Sequence, residues 1–205
     1  RPQGASVDMG ACEFCIDDDI NVVDLYIIYV NAASTAANPD GLTWETAFPT
    51  LQEGADHAGY GAEIWVAEGT YRSAAASEVL RLIRGTRAYG GFSGNETARE
   101  QRDGRNHPTI IDGQNARRCV TAFLGTDLMD GFTLKNGKSS SGGGMCGGTA
   151  TNCTFTENSA SSSGGGLYDG AATNCTFTGN SAASSGGGMY SGTATNCTFT
   201  ENSAF

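Results

Sequence analysis

Asn152-Cys153-Thr154-Phe155-Thr156-Glu157-Asn158 is followed 22 residues later by Asn174-Cys175-Thr176-Phe177-Thr178-Gly179-Asn180, and 22 after that by Asn196-Cys197-Thr198-Phe199-Thr200-Glu201-Asn202. A second marker keeps the same period: Gly142-Gly143-Gly144-Met145-Cys146, Gly164-Gly165-Gly166-Leu167-Tyr168 and Gly186-Gly187-Gly188-Met189-Tyr190. A divergent unit, Gly131-Phe132-Thr133-Leu134-Lys135-Asn136, comes before them, so the pattern blurs toward the N-terminus. Within Asn-Cys-Thr-Phe-Thr, alternation puts Cys153 and Phe155 on one face and Asn152 and Thr154 on the other, as in a half-buried strand. Leu167 beside Tyr168 makes a second short strand with its apolar residue inward. The Gly and Ser runs hold no helix. Short strands joined by Gly- and Asn-rich turns at a fixed period describe rungs of a parallel β-solenoid, stacked at ~4.8 Å. A disordered linker would not carry Phe and Leu or Met at a constant interval.

In-register stacking turns each repeated position into a column. Cys153, Cys175 and Cys197 form an inner thiol column; Phe155, Phe177 and Phe199 form an aromatic one. Asn158, Asn180 and Asn202 fall just after the strand, where we expect a turn at φ > 0 and amides bonded to the Asn above and below. The Gly triplets are expected where a Cβ would crowd the adjacent rung. The fold class is therefore all-β, a right-handed parallel β-helix with ~22-residue rungs and an N-terminal cap containing one short helix.

The rest of the chain is consistent with this. Gly supplies 30 of 205 residues without a strict period of three and with only 4 Pro, which excludes collagen. The longest apolar stretch, Val22 to Val30, is interrupted by Asp24 and is too short to span a bilayer. A net charge of −10 repels phosphate backbones and argues against a nucleic-acid partner. No signal peptide is visible at Arg1-Pro2-Gln3-Gly4, as expected if processing has removed one or the chain is a piece of a longer polypeptide.

Ahead of the repeats, strands are expected at Val22–Val30, Glu63–Ala67, Val79–Ile83, Thr109–Ile111 and Val120–Leu124. A turn is expected at Pro39-Asp40-Gly41. An amphipathic helix falls within Thr43–Ala58, starting near Pro49 with Phe48 outside it. The organisation is an extension over residues 1–20, a strand and helical cap over 21–61, and a β-helix over 62–205, regular from about residue 130.

Ile28-Tyr29-Val30-Asn31-Ala32, Gly41-Leu42-Thr43-Trp44-Glu45-Thr46-Ala47-Phe48 and Ala62-Glu63-Ile64-Trp65-Val66-Ala67-Glu68-Gly69-Thr70-Tyr71 together resemble the opening of bacterial right-handed parallel β-helix repeat proteins. Tyr89-Gly90-Gly91-Phe92-Ser93-Gly94-Asn95, Pro108-Thr109-Ile110-Ile111-Asp112-Gly113 and Asp130-Gly131-Phe132-Thr133 continue the likeness. The Phe-x-x-Asn and Gly-Gly-Met/Leu pairing is similar to the repeats of polymorphic outer-membrane proteins and autotransporter passengers. The resemblance covers residues 25–205 and implies a pectate-lyase-like fold, which serves lyases, hydrolases, adhesins and stalks alike. Arg1 to Phe14 resembles the segment that closes such a domain at its C-terminus. Two readings stay open: residues 1–20 complete the open last rung of a neighbour, giving a head-to-tail filament, or the chain is cut from a longer one.

The residues offer little chemistry. Between Lys138 and Phe205 the charges are Lys138, Glu157, Asp169 and Glu201, and Gly179 sits above Glu157, so no carboxylate pair forms. Asp112, Asp127 and Asp130 are candidates in the first half, but Asp112 and Asp130 lie in Asp-Gly turns. Asp17-Asp18-Asp19 with Asp24 lacks EF-hand spacing and reads as an acidic linker rather than a calcium site. His57 and His107 have no partner at ligand spacing. Cys12-x-x-Cys15 stands without a second pair and reads as a disulfide or two separate thiols. Cys153, Cys175 and Cys197 are within disulfide reach, with a reduced buried stack preferred; pairing of Cys119 with Cys146 is open. No catalytic residue, metal or cofactor is expected. Asn95, Asn152, Asn174 and Asn196 open N-x-Thr sequons and are candidate glycosylation sites, set against an unmodified polar ladder. Tyr168 and Tyr190 point outward, suited to a sugar or a neighbouring surface.

The expectation for function is a non-catalytic, extracellular or cell-surface β-helix: a stalk, adhesin or head-to-tail filament subunit. The alternatives are a polysaccharide lyase or hydrolase and a carbohydrate-binding β-helix.

Overall fold

Each rung is laid down by one alternation pattern and two kinds of corner. In the computed structural model, which describes residues 27–74 and 77–205, the strand Met145–Cys146 runs through Gly147-Gly148 into Thr149–Thr151. The corner Asn152-Cys153 leads to Thr154–Thr156, and Glu157-Asn158 to Ser159–Ser163. Gly164-Gly165-Gly166 then lifts the chain to Leu167–Thr173, one rung up. All strand pairings are parallel, and they build three faces. The first has ten strands, the second six and the third four, wound into a solenoid of about six turns.

The core is columnar. On the second face Tyr71, Ile111, Leu134, Phe155, Phe177 and Phe199 are consecutive register partners. The aromatic column thus continues downward as aliphatic residues and ends on Tyr71. Phe155 and Phe177 lie 4.6 Å apart between ring centroids and Phe177 and Phe199 4.7 Å, with planes within 6°. On the first face Leu80, Val120, Met145, Leu167 and Met189 make a second column. Ile28, Ile64, Ala88, Met129, Ala150 and Ala172 make a third. The third face contributes Ala160 and Ala182.

The Gly triplets stand where backbone meets backbone. A Cβ on Gly165 would lie 2.3 Å from the Ser181 carbonyl oxygen and 2.4 Å from that of Gly187. No side chain fits there, so the glycines are a packing requirement of the rung spacing.

The helix is Leu51–His57, inside the expected span and starting just after Pro49 with Phe48 outside it; Thr43 to Pro49 is turn and bridge. Thr50 Oγ1 accepts from the Glu53 N–H and donates to the Glu53 carboxylate, a local cap that fixes the start after Pro49. Leu51 and Ala55 are buried, and Gly54 passes so close to Val30 that a Cβ would sit 2.4 Å from its methyl. The described part of the expected Val22–Val30 strand is Ile27–Val30; residues 1–26, with Cys12, Cys15 and the acidic run, lie outside the described residues. Glu63–Ala67 forms as expected, and the other three expected strands are Glu78–Leu82, Thr109–Asp112 and Arg118–Ala122, with bounds moved by one or two residues, while Gly69–Tyr71 and Arg87–Phe92 are strands between them.

Over the lower part of the first face lies an aromatic layer. Trp65 stacks on Phe92 at 4.8 Å, Tyr29 meets Trp44 edge-on at 4.7 Å, and Trp44 Nε1 donates to the Glu96 carbonyl across the loop after Phe92.

Phe177 is sandwiched and fully buried, whereas Phe199 is 47% exposed. Phe177→Ala is therefore expected to cost about 3–5 kcal/mol, a large-to-small change in a closed column. Phe199→Ala is expected to cost less than half of that. Urea denaturation of the two variants checks the ordering; equal losses would contradict the sandwiched column.

Candidate functional site

Inside the rungs, the Asn column holds the corner together. Asn158 Nδ2 donates to the Leu134 carbonyl and to Asn180 Oδ1, both at 2.9 Å. Asn180 Nδ2 donates to the Phe155 carbonyl at 3.0 Å and to Asn202 Oδ1 at 2.8 Å. Each Oδ1 also accepts the backbone N–H of the Asn below, at 3.1 Å for Asn158 and 3.0 Å for Asn180. The amides bond up and down as expected, but the turn assignment needs correction. The residues at positive φ are Glu157 (54°), Gly179 (64°) and Glu201 (57°), one position earlier. Asn158 and Asn180 are wholly buried. The left-handed residue before each Asn swings it inward, where it satisfies a carbonyl and an N–H that the corner would otherwise orphan.

Cys153, Cys175 and Cys197 stack at the other corner as free thiols. The Cys153 N–H donates to Cys175 Sγ at 3.4 Å, and each Sγ donates back to the carbonyl two residues earlier, at 3.2–3.3 Å. Burial pushes the Cys153 thiol well above its ordinary pKa. Cys119 and Cys146 are also free, and burial pushes Cys119 up to about 12.

The outer Asn residues sit on that corner rather than on the strand. Asn152, Asn174 and Asn196 are left-handed, with φ of 52°, 55° and 52°, and the strand begins two residues later at Thr154. Their exposed amides run down the corner: Asn174 Nδ2 donates to Asn152 Oδ1 at 3.4 Å, and Asn152 Nδ2 to Asp130 Oδ1 at 3.0 Å. A glycan on Asn152 or Asn174 would consume a bonded amide. Asn95 is exposed in its loop and accepts from Ser93 Oγ through its oxygen.

The three candidate carboxylates are each occupied separately. Asp130 is clamped by Arg102 at 2.9 Å and ends the outer Asn ladder. Asp112 pairs with Arg72 at 3.0 Å and accepts from Asn136 Nδ2 and the Gln114 N–H. Burial acts to raise the Asp112 pKa, but these hydrogen bonds and the Arg72 charge outweigh it, and its carboxyl sits below the ordinary value. Asp127, fully buried, accepts the Phe123 and Leu124 N–H groups on one oxygen and shapes the 123–127 loop. His107 bonds Glu68 at 3.1 Å, and His57 stacks on Phe48. Arg72 and Arg102 went unnoticed in the sequence because they lie in loops without the repeat period. Among the described residues no group of three or more His, Cys, Asp or Glu is placed to hold a metal.

The outer side of the first face carries a groove of about 520 Å³. Its floor is backbone: Gly147, Gly148, Gly170 and Gly192. One wall follows Thr121 and Cys146, whose register partners in the next rungs are Tyr168 and Tyr190. The opposite wall is Thr149, Ala171 and Thr193. Phe123 and Gly125 stand at its lower end, and Asp169 lies midway. Tyr168 and Tyr190 stack at 5.7 Å. The period of 22 between Gly170 and Gly192 was the available sequence signal for this feature.

Parallel rungs, repeated inner ladders and a uniform corner chemistry define a β-helix repeat protein. Residues 152–169 and 174–191 match the Chlamydia polymorphic membrane protein repeat, a match that supports a β-helix repeat protein similar to that type. No curated protein and no solved structure matches the chain.

Asn180→Ala would remove one bond from the Phe155 carbonyl and leave the Asn158 N–H and part of the Asn158 amide unsatisfied. At ~1–3 kcal/mol for a buried unsatisfied group, we expect a loss of about 3 kcal/mol or more by urea denaturation. Asn202→Ala, in the half-open last rung, is expected to lose less. For Asp112, a folded-state pKa below the unfolded ~3.9 gives stability that is full above that pH and lost as pH falls through the folded value. The thermal midpoint is expected to drop below pH ~4, less steeply in Asp112→Asn. Parallel acid profiles would remove this carboxylate from the account.

Proposed function

We propose that the chain is a non-catalytic, surface-displayed β-helix that acts as a rigid spacer: a stalk, an adhesin or a head-to-tail filament segment. The observation that carries this reading is the unbroken stacking of Phe155, Phe177 and Phe199, the first two within segments that match a membrane-protein repeat. Such a tube transmits length with small change of section, because each rung contacts only its neighbours. The surface assignment rests on the name of the repeat family. No helix among the described residues is long and apolar enough to cross a membrane.

A head-to-tail arrangement would be built on strand edges. Thr198–Thr200 pairs on one side only, with Phe199 partly exposed. Such an edge accepts a further rung of the same kind, from continuing chain or from a second copy, and head-to-tail addition propagates. The expected donor, residues 1–20, lies outside the described residues. The non-catalytic part is favoured by the engagement of Asp112 and Asp130 with separate arginines.

Antibody labelling of intact source cells is expected to detect the protein at the surface, and negative-stain imaging of native material to show rods. Assays on pectin and alginate with calcium are expected to give no turnover. Labelling only after lysis would overturn the surface assignment, and robust turnover the structural one.

A further inference from the structure

We propose that the groove on the first face binds a neutral oligosaccharide. Its volume of about 520 Å³ falls within the ~300–1,000 Å³ typical of ligand clefts. It runs along the helix axis across successive rungs, which suits an extended chain.

The groove's chemistry matches a sugar's two surfaces. Phe123, in the lining, is 61% exposed, and the Tyr168–Tyr190 stack stands beside the groove in the column above Cys146. Aromatic faces of this kind cover the C–H face of a pyranose. Between the walls, the Asp169 carboxylate accepts hydrogen bonds from sugar hydroxyls, and the Thr193 hydroxyl makes both kinds. Asp169 has φ of 53° within the strand Leu167–Thr173, and Ser191 repeats this at 53° in the next rung. This local break in the strand leaves the Asp169 side chain exposed above a floor that is only glycine.

The same surroundings argue against other occupants. The floor offers no strand edge to a peptide, since the Gly147 N–H is bonded to Tyr168 and the Ala171 N–H to Gly148. Asp169 is the one charged residue of the lining. The guanidinium of Arg81, 5.5 Å from the Phe123 ring centroid, is paired with Glu78 at 2.6 Å. The Arg118 guanidinium, which donates to Thr121 Oγ1 at 3.0 Å, is held by Ser139, Ser141 and Gly142, so a polyuronate or other polyanion would meet the Asp169 carboxylate on a chain of net charge −10.

This inference deepens the adhesin reading by naming a ligand class, and rests on it only for biological setting. Cys146 supplies a native reporter: it lines the groove and is partly exposed, whereas Cys119, Cys153 and Cys175 are buried. The purified chain is screened on an array of neutral and anionic glycans, and hits are tested for slowing iodoacetamide alkylation of Cys146, read by mass spectrometry. A neutral oligosaccharide is expected to bind and protect Cys146. Phe123→Ala and Asp169→Asn, both at exposed positions of the lining, are each expected to weaken binding by about tenfold, with unchanged circular dichroism. Binding of polyuronates alone, binding of no neutral glycan, or neutral binding that spares Cys146 and ignores both variants would overturn the proposal. Because surface labelling is read independently on cells, a labelled cell with an empty groove removes the ligand and leaves the display.

Discussion

Backbone hydrogen bonding between rungs is the constraint from which the rest follows. Once Thr154–Thr156 pairs in register with Thr176–Thr178, and that strand with Thr198–Thr200, every side chain has its own kind directly above and below. A residue type is therefore tolerated only if it attracts its own copy. Phe does so by stacking, Asn by donating to one neighbour and accepting from the other, and Gly by allowing carbonyls to approach. A charged residue does not, and the inner columns contain none. The regular rungs are built from a few residue types because self-compatibility is a narrow filter.

A self-compatible ladder needs an end, and the protein makes its ends from polar residues that do not repeat. The outer Asn column descends from Asn174 through Asn152 to Asp130, where the amide meets a carboxylate and the carboxylate meets Arg102. The aromatic column descends through Leu134 and Ile111 to Tyr71, whose hydroxyl donates to the Ala67 carbonyl and accepts the Ala32 N–H. Burial raises the Tyr71 pKa, so the phenol stays a neutral donor there. At both sites a residue that cannot repeat closes one that can. Asp130, one of the three candidate carboxylates, belongs to this closing chemistry.

The columns of the regular rungs were legible because a period, once joined to a strand assignment, fixes register without further information. Phe155 over Phe177 and Gly165 under Gly187 follow from counting. Counting fails below residue 130, where strands such as Glu63–Ala67 can be recognised but no repeated marker says which strand lies beneath which. The Arg102–Asp130 and Arg72–Asp112 pairs bridge 28 and 40 residues through loops of unequal length, so composition alone does not suggest them. The position of Asn158 was misread for a different reason. The tolerance of Asn for φ > 0 argued for the turn position, whereas Glu157 takes it and Asn158 is buried, where the column supplies every partner the amide needs. That balance is set by geometry, which the residue type does not encode.

The division of labour between inside and outside also explains where function has room to arise. Inner positions are tied to their copies, so a single change there breaks contacts in two rungs at once. Outer positions on the first face are free of that rule: the column that holds Tyr168 and Tyr190 holds Cys146 and Thr121 below, and Asp169 is followed by Ser191. Variation from rung to rung on an otherwise repetitive surface creates a local, non-repeating pattern of aromatic, carboxylate and hydroxyl groups. A perfect solenoid would present a uniform stripe with no preferred place for a ligand. The departure from perfection along this wall, set over a glycine floor that the fold requires anyway, makes one place on the tube different from the next.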